Sequence, residues 1–427
     1  MQKYIFRLKY QPLFLVFTET FCLAGCFEPI ESDRDSMPHQ TNLSIPVIYQ
    51  SETVTLGHLT MWLKNITLLN FKNYADADLK FSRTVNAFVG NNGAGKTNLL
   101  DAIHYLCLCK SYFNPIDSQQ IKTAEELFLI QGDFDRQEKM EKITCGVRKN
   151  QKKQFKRNRK EYDKLASHIG LFPLVMISPY DVAIIIEGSE ERRRFMDNVI
   201  SQTDSQYLEE LMTYNRHLLN RNAMLKQIAL TRRYDPALLE ILNEQLSVSG
   251  NRIFEKRQLF MLDFIPLFNK YYQFLTADAE QVSLVYHSQL NDTAFDHLLL
   301  QSIEKDKVLE RTTTGIHKDD LIFSIADLPL KKFGSQGQQK SFLIALKLAQ
   351  YAYVEKFKGF KPLLLLDDIF DKLDSHRMHK LMEMVSHHDF GQIFITDTGK
   401  ERVVDIFSQI KVPVTLFEVS NGSVAYA

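Results

Sequence analysis

Gly90-Asn91-Asn92-Gly93-Ala94-Gly95-Lys96-Thr97 fits the pattern G-x-x-x-x-G-K-[ST] at every fixed position. It follows Val85-Asn86-Ala87-Phe88-Val89, which reads as a buried strand. It opens a helical pattern through Leu99, Ile103 and Leu106. Strand, glycine-rich turn and helix are the context in which this pattern binds phosphate. Glycines let backbone N–H groups turn inward around phosphate oxygens. The helix N-terminus adds the positive end of its dipole. Lys96 would reach the β- and γ-phosphates, and the Thr97 hydroxyl would ligate Mg²⁺. Every residue from Gly90 to Thr97 is therefore a candidate nucleotide contact, with ATP and Mg²⁺ as the expected ligands.

A second decisive stretch is Leu363-Leu364-Leu365-Leu366-Asp367-Asp368. Four apolar residues bury a strand on both faces, and two carboxylates emerge at its carboxyl end. In an α/β sheet that end is where ligands bind. Asp367 would hold Mg²⁺, mostly through water, and Asp368 would orient or deprotonate an attacking water. With Lys96 they are the candidate catalytic residues. A helix cap or solvated turn is the structural alternative for the pair. Asp371 and Asp374 follow, and Asp374 reads equally well as a helix cap.

The remaining chain places these motifs in an ordinary globular protein. Its 427 residues suggest two or three domains, with 44% apolar and 24% charged residues. That composition excludes a disordered, collagen-like or disulfide-stapled chain. Basic and acidic residues balance at 52 each, so overall charge points to no partner. Cys22, Cys26, Cys107, Cys109 and Cys145 form no zinc-type array and read as reduced thiols. There is no G-x-S-x-G elbow, no internal repeat, and no apolar run long enough to cross a membrane. Residues 1–60 do not match the rest. Lys3, Arg7 and Lys9, an apolar stretch and Leu23-Ala24-Gly25-Cys26 look like a lipoprotein leader. Glu19, however, puts a charge where that leader should be apolar. Met61 offers a start residue just before a new strand pattern. We read 1–60 as an extension with no role in the fold.

From Met61 the pattern is short strands: Trp62 to Asn70, Leu79 to Phe81, and later Leu127 to Ile130, Ile143 to Val147 and Gln154-Phe155. Between Ser189 and about Thr276 apolar residues recur at spacings of three and four, which predicts long amphipathic helices. Val282 to Tyr286 returns to strand, and an α/β stretch runs from Thr312 to the end. The expected architecture is an α/β body split by a helical insertion.

Ser335-Gly337-Gln338 belong to a further motif, Ser335-Gln336-Gly337-Gln338-Gln339-Lys340, which opens a helix through Leu343, Leu346 and Ala349. Ser-x-Gly-Gln-Gln followed by an acidic strand resembles the signature of ATP-binding-cassette ATPases. Lys96 and Ser335 lie 239 residues apart, more than transporter cassettes need and less than SMC-type coiled coils require. Other stretches narrow the likeness: Met61 to Ile66 with Asn70-Phe71-Lys72-Asn73-Tyr74, Ser178-Pro179-Tyr180-Asp181, Glu191-Arg192-Arg193-Arg194-Phe195-Met196-Asp197, and Gly315-Ile316-His317-Lys318-Asp319-Asp320-Leu321. Together they resemble the RecF family of bacterial recombination mediators over residues 61–427.

The resemblance implies an α/β fold: a P-loop ABC-type ATPase head with an inserted helical arm. Residues 61–170 would be the N-terminal part of the head, 171–295 the arm and 296–427 the C-terminal part. It implies an ATP-dependent head-to-tail homodimer, in which Ser335, Gly337 and Gln338 of one chain meet the γ-phosphate bound by the other. It implies a slow, DNA-stimulated ATPase in the cytoplasm that binds single- and double-stranded DNA at gaps and junctions regardless of sequence. There it would help RecR and RecO load the recombinase. Gly334 stands where many signatures carry Leu, and Asp368 where transporters use Glu. No histidine occupies Gln392 to Thr398, so Asp397 and Thr396 become candidates for sensing the γ-phosphate. Gln119 or Gln120 would couple Mg²⁺ to the arm.

Arg148 to Lys160 carries eight basic residues and no acid. Lys152, Lys153, Lys156, Arg157, Arg159 and Lys160 are candidate DNA-phosphate contacts. A solvated hairpin with a lysine-protected edge is the alternative. Arg192-Arg193-Arg194 would pair with acids such as Glu190 and Glu191, and His317 would orient a loop by hydrogen bonding. Two rival functions fit less of the chain. A transport ATPase needs a switch histidine and no arm. An ATP-gated nuclease needs a further acidic domain, and only 53 residues follow Asp374. A DNA scaffold that binds ATP without turnover remains compatible with every motif.

Overall fold

The structure is a computed structural model that describes residues 61–232, 235–276, 280–370, 375–387 and 389–426. The extension expected at 1–60, and Asp371 and Asp374, lie outside the described residues.

Strands β1 (Met61–Phe71) and β2 (Tyr74–Lys80) form an antiparallel hairpin. They continue into β4 (Leu127–Arg136), β5 (Lys139–Arg148), β6 (Gln154–Arg157) and β7 (Lys160–Glu161), in the order β2-β1-β4-β5-β6-β7. Alternation decides which face is inside. Phe128, Ile130 and Phe134 of β4 and Ile143, Cys145 and Val147 of β5 point one way and are buried.

The second six-stranded sheet is the opposite kind. Its members are β3 (Val85–Val89), β8 (Leu174–Ile177), β12 (Leu363–Leu366), β13 (Ile393–Asp397), β14 (Val414–Ser420) and β15 (Ser423–Tyr426). They run in the order β15-β14-β3-β13-β12-β8, parallel except for the β14–β15 hairpin. Every residue of β3, β8, β12 and β13 is buried, as a parallel sheet covered on both faces requires.

Helix α1 (Lys96–Leu108) lies between the two sheets, with ten of its thirteen residues buried. Buried nearly all round, with Lys96, Asp101 and His104 among its buried residues, it has little solvent face to offer. The other face of the parallel sheet carries α9 (Gln336–Lys358) and α3 (Ser189–Thr203). The expected long helices are α4 (Ser205–Thr231) and α5 (Pro236–Thr276). Shorter helices are α2 (Ala183–Ile186), α6 (Phe295–Gln301), α7 (Ile303–Leu309), α8 (Leu330–Phe333), α10 (Ser375–Ser386) and α11 (Lys400–Gln409). A three-stranded sheet, β11-β10-β9, joins β9 (Val282–His287), β10 (Asp320–Ile325) and β11 (Leu328–Pro329).

Two elements cross the boundaries expected at 170 and 295. β8 follows residue 170 yet pairs with β12 of the parallel sheet. β10 follows residue 295 yet pairs with β9. In addition, α7 is tied to α4 by the fully buried Arg221–Asp306 ion pair.

Candidate nucleotide site

Register brings the carboxyl ends of four adjacent strands level. Val89 pairs with Asp397, and Leu366 pairs with both Ile395 and Ile177. The phosphate-loop pattern leaves β3 at this edge, and Asp367 and Asp368 leave β12 two strands away.

The loop's shape depends on its glycines at two places. Gly90 has φ 152°, and a Cβ there would lie 2.2 Å from the Val419 carbonyl oxygen. Gly95 has φ 117°, and a Cβ there would lie 2.3 Å from Asn73 Nδ2. The same close neighbours brace the loop from outside. Asn73 Nδ2 donates to the Ala94 carbonyl at 3.0 Å, Tyr74 Oη to the Gly95 carbonyl at 3.0 Å, and the Gly422 N–H to Ala94 at 3.2 Å.

Lys96 Nζ donates to the Gly90 and Asn91 carbonyls at 2.6 and 2.9 Å. Burial pushes its pKa down, and the carboxylates of Asp368, Asp397 and Asp367 push it partly back. Thr97 Oγ1 donates to Asp367 Oδ1 at 2.9 Å, across 270 residues of sequence. Thr396 Oγ1 donates to the same oxygen at 2.8 Å and accepts the Asp368 N–H at 2.9 Å. Ser178 Oγ lies 3.5 Å from Asp367 Oδ2. Burial raises the Asp367 pKa, against the hydrogen bonds from Thr396 and Thr97. A hydroxyl and a carboxylate, both hard oxygen donors, suit Mg²⁺. Asp368 sits at φ 48°, a left-handed backbone for a non-glycine residue, and its buried Oδ1 has no hydrogen-bond partner among the described residues. Strain and an orphaned buried oxygen together mark a place where a ligand completes the structure.

The other candidate residues are placed less uniformly. Asp397 is fully buried and paired with Arg402 at 2.6 Å, and it accepts the Gly399 N–H at 2.6 Å. Thr396 is committed to Asp367 and Asp368. Gln120 is buried and holds its own loop through the Asn114 and Ile116 carbonyls. Gln119 is exposed and bonds Asn114. Neither glutamine side chain is hydrogen-bonded to Asp367; the residue that reaches that carboxylate from β8 is Ser178. Ser335 caps α9, accepting the Gln338 N–H at 3.2 Å while Gln338 Oε1 accepts the Ser335 N–H at 2.7 Å. Gln338 Nε2 also donates to Glu280 at 2.9 Å. A side chain at Gly334 would strike Leu330 at 2.7 Å, which explains the glycine there.

The basic hairpin divides into two groups. Lys152, Arg159 and Lys160 are exposed, and Lys156 is partly so. Lys153 turns inward: it pairs with Asp117 at 2.8 Å and donates to Tyr105 Oη and the Cys109 carbonyl. Arg157 pairs with Glu141 at 2.5 Å. Arg194 pairs with Glu190 and Glu191, as the sequence suggests. Arg192 instead reaches Asp320 with two bonds, at 2.7 and 3.0 Å, and Arg193 donates to the Asp319 carbonyl. His317 does hold a loop, bonding Tyr214 and the Thr312 carbonyl.

Sequence reasoning passed over Ser178, Asn73, Tyr74 and Gly422 as parts of this edge. One signal was present for Ser178. Leu174 to Ile177 is a buried apolar run ending in a polar residue, the same pattern that singled out Asp367.

The family model described as RecF/RecN/SMC N terminal domain matches residues 62–422. The DNA replication and repair protein RecF of Flavobacterium johnsoniae is 53% identical over 342 residues, covering 80% of this chain and 95% of the relative. That of Parabacteroides distasonis is 48% identical over 364 residues, covering 85% and 99%. The solved structure of the recombination mediator protein RecF with ATP superimposes with TM-score 0.80 at 30% identity, covering 87% of this chain and 99% of that one. An SMC head domain from Pyrococcus yayanosii, at TM-score 0.52 and 14% identity, shares the fold. No described helix is long and apolar enough to cross a membrane. On sequence and structure together, the chain belongs to the RecF family of DNA replication and repair proteins.

Proposed function

We propose that this chain binds ATP and Mg²⁺ at the level edge of the parallel sheet and uses ATP to switch DNA binding. One observation carries the reading: Lys96, Thr97, Asp367, Asp368 and Thr396 converge from three strands on one point, where the buried Asp368 Oδ1 has no hydrogen-bond partner among the described residues. Phosphates would lie in the loop from Gly90 to Gly95, with Lys96 and the start of α1 supplying positive charge. Thr97 and Asp367 would hold Mg²⁺, which neutralises charge on the phosphates when bound. Asp368 would orient the attacking water. Its side chain is shorter than glutamate, which favours slow turnover, so hydrolysis acts as a timer.

Ser335 is exposed at the tip of α9, where its hydroxyl accepts from Gln338 of the same turn, and its phosphate partner would come from a second copy. The ATP-bound form would be a head-to-tail dimer that presents Lys152, Arg159 and Lys160 to the backbone of single- or double-stranded DNA. RecR and RecO would be the partners that then load the recombinase.

Sedimentation of the full chain with ATP, with ADP, and with ATP after Ser335→Arg tests this. ATP alone should give a dimer, and the substitution should abolish it. A monomer in ATP at micromolar concentration, even with gapped duplex DNA, refutes the switch. A dimer that forms without any turnover would instead make the chain an ATP-gated scaffold.

A further inference from the structure

Asp181 is a meeting point of two routes that start at the nucleotide edge. The first begins at Asp367. Ser178 touches that carboxylate through its hydroxyl, and its backbone N–H donates to Asp181 Oδ2 at 2.7 Å. The second begins at α1. Asp101 on that helix accepts the Tyr112 N–H at 2.6 Å and pairs with Lys72 at 2.6 Å, and the Tyr112 hydroxyl donates to Asp181. From Asp181 a single strong contact leads onward, a buried ion pair of 2.6 Å to Lys347. Lys347 also lies 3.4 Å from the Tyr112 hydroxyl. It stands on α9, the helix that Ser335 caps, twelve residues and about 18 Å along its axis.

Nothing in packing demands a charge here. Lys347 and Asp181 are each about 95% buried, and a buried pair seldom stabilises more than apolar residues of the same size. The pair also lines a cleft of about 540 Å³ between the 110–115 loop, α3 and α9, so its members have room to shift, unlike residues in close-packed core.

We propose that Lys347 and Asp181 are positioning residues that transmit occupancy of one chain's nucleotide site to its own α9, setting the angle at which Ser335 is offered to a second copy. This rests on the trans role of Ser335 proposed above. Ser178, Asp181 and Tyr112 thereby take the coupling task expected of Gln119 or Gln120. Lys347 touches no nucleotide in this scheme. Its loss should leave ATP binding intact and impair assembly.

The test uses the full chain carrying Asp181→Asn with Lys347→Met. Both charges go together, so none is stranded, and the introduced amide oxygen still accepts from Ser178. A fluorescent ATP analogue should bind within about threefold of the parent, while the protein concentration needed for the ATP-dependent dimer should rise by about tenfold or more. Lys347→Arg, which keeps the pair, should dimerise like the parent. A double variant that dimerises at the parental concentration overturns the relay, provided Ser335→Arg does not dimerise. If Ser335→Arg also dimerises normally, the trans-signature reading fails instead. If the double variant does not fold, Tyr112→Phe removes one hydroxyl and leaves the ion pair. It should weaken dimerisation measurably with ATP affinity unchanged, and parental dimerisation would overturn the relay.

Discussion

Lys96 and Arg257 are both buried cations facing aspartates, yet burial leaves them in opposite conditions. Arg257, on α5, is 1% exposed and saturated. Its guanidinium donates to Asp319 at 2.7 Å, Asp197 at 2.9 Å, the Ile316 carbonyl at 2.9 Å and Tyr207 Oη at 3.1 Å. Burial alone would lower its pKa, but the carboxylates of Asp197 and Asp319, with the Tyr207 and Tyr286 hydroxyls beside them, hold it well above the ordinary value. Lys96 has three aspartates nearby and, among the described residues, hydrogen bonds to carbonyls alone, so burial prevails and its pKa falls. A charge completed inside the fold is architecture. A charge held by carbonyls alone, beside an Asp368 oxygen with no hydrogen-bond partner among the described residues, is what the proposed nucleotide site would use.

The comparison breaks most easily at Arg257. Arg257→Met strands Asp197 and Asp319 in the interior and should cost about 3–5 kcal/mol in urea denaturation. Lys96→Met should cost less than about 1 kcal/mol, since an ammonium already disfavoured by burial is removed, while nucleotide binding is lost. If both variants are equally stable, the contrast fails. A second effect separates the regions by pH. Burial pushes His104, His168 and His317 down to about 4. Unfolded, each titrates near 6.5 and takes up a proton that the folded form refuses. Their contribution is therefore complete above pH 6.5 and lost as pH falls toward 4, about 1 kcal/mol for each at pH 5.5. Denaturation midpoints at pH 7.5 and 5.5 check the sign, and His317→Gln should reduce the slope. The smallest effect concerns the hairpin. Lys152→Gln, Arg159→Gln or Lys160→Gln should each flatten the log–log salt dependence of DNA binding by about one unit. Lys153→Gln should leave that slope alone and lower stability, because its partner is Asp117.

These contrasts also mark what was legible in the sequence. β3 and β12 occupy the residues expected of them, because a strand buried on both faces writes itself as an unbroken apolar run. The glycine-rich turn from Gly90 to Lys96 was legible because its residues are contiguous. Lys153 was not. Lys152 beside it is exposed, and only the fold brings Lys153 to Asp117 and the Cys109 carbonyl. Lys347 was hidden for a related reason. A lysine in a long helix reads as solvated, and Asp181 lies 166 residues away. The helical arm was legible as helix but not in extent, since Arg221 finds Asp306 across 85 residues.

The order of strands in the parallel sheet has a consequence for how the chain is made. Its two central neighbours on one side, β13 and β12, come from the last part of the polypeptide, while β3 comes from the first. Thr97 must wait for Asp367, 270 residues downstream. At the ribosome's pace of about 5–20 residues per second, that wait is roughly 15–50 s. Throughout it, β3 and α1 have apolar faces without their final neighbours. A prematurely terminated chain would carry a complete phosphate-loop sequence and no carboxylate to work with it. On the proposed reading, competence to respond to nucleotide would arrive only when translation is nearly finished.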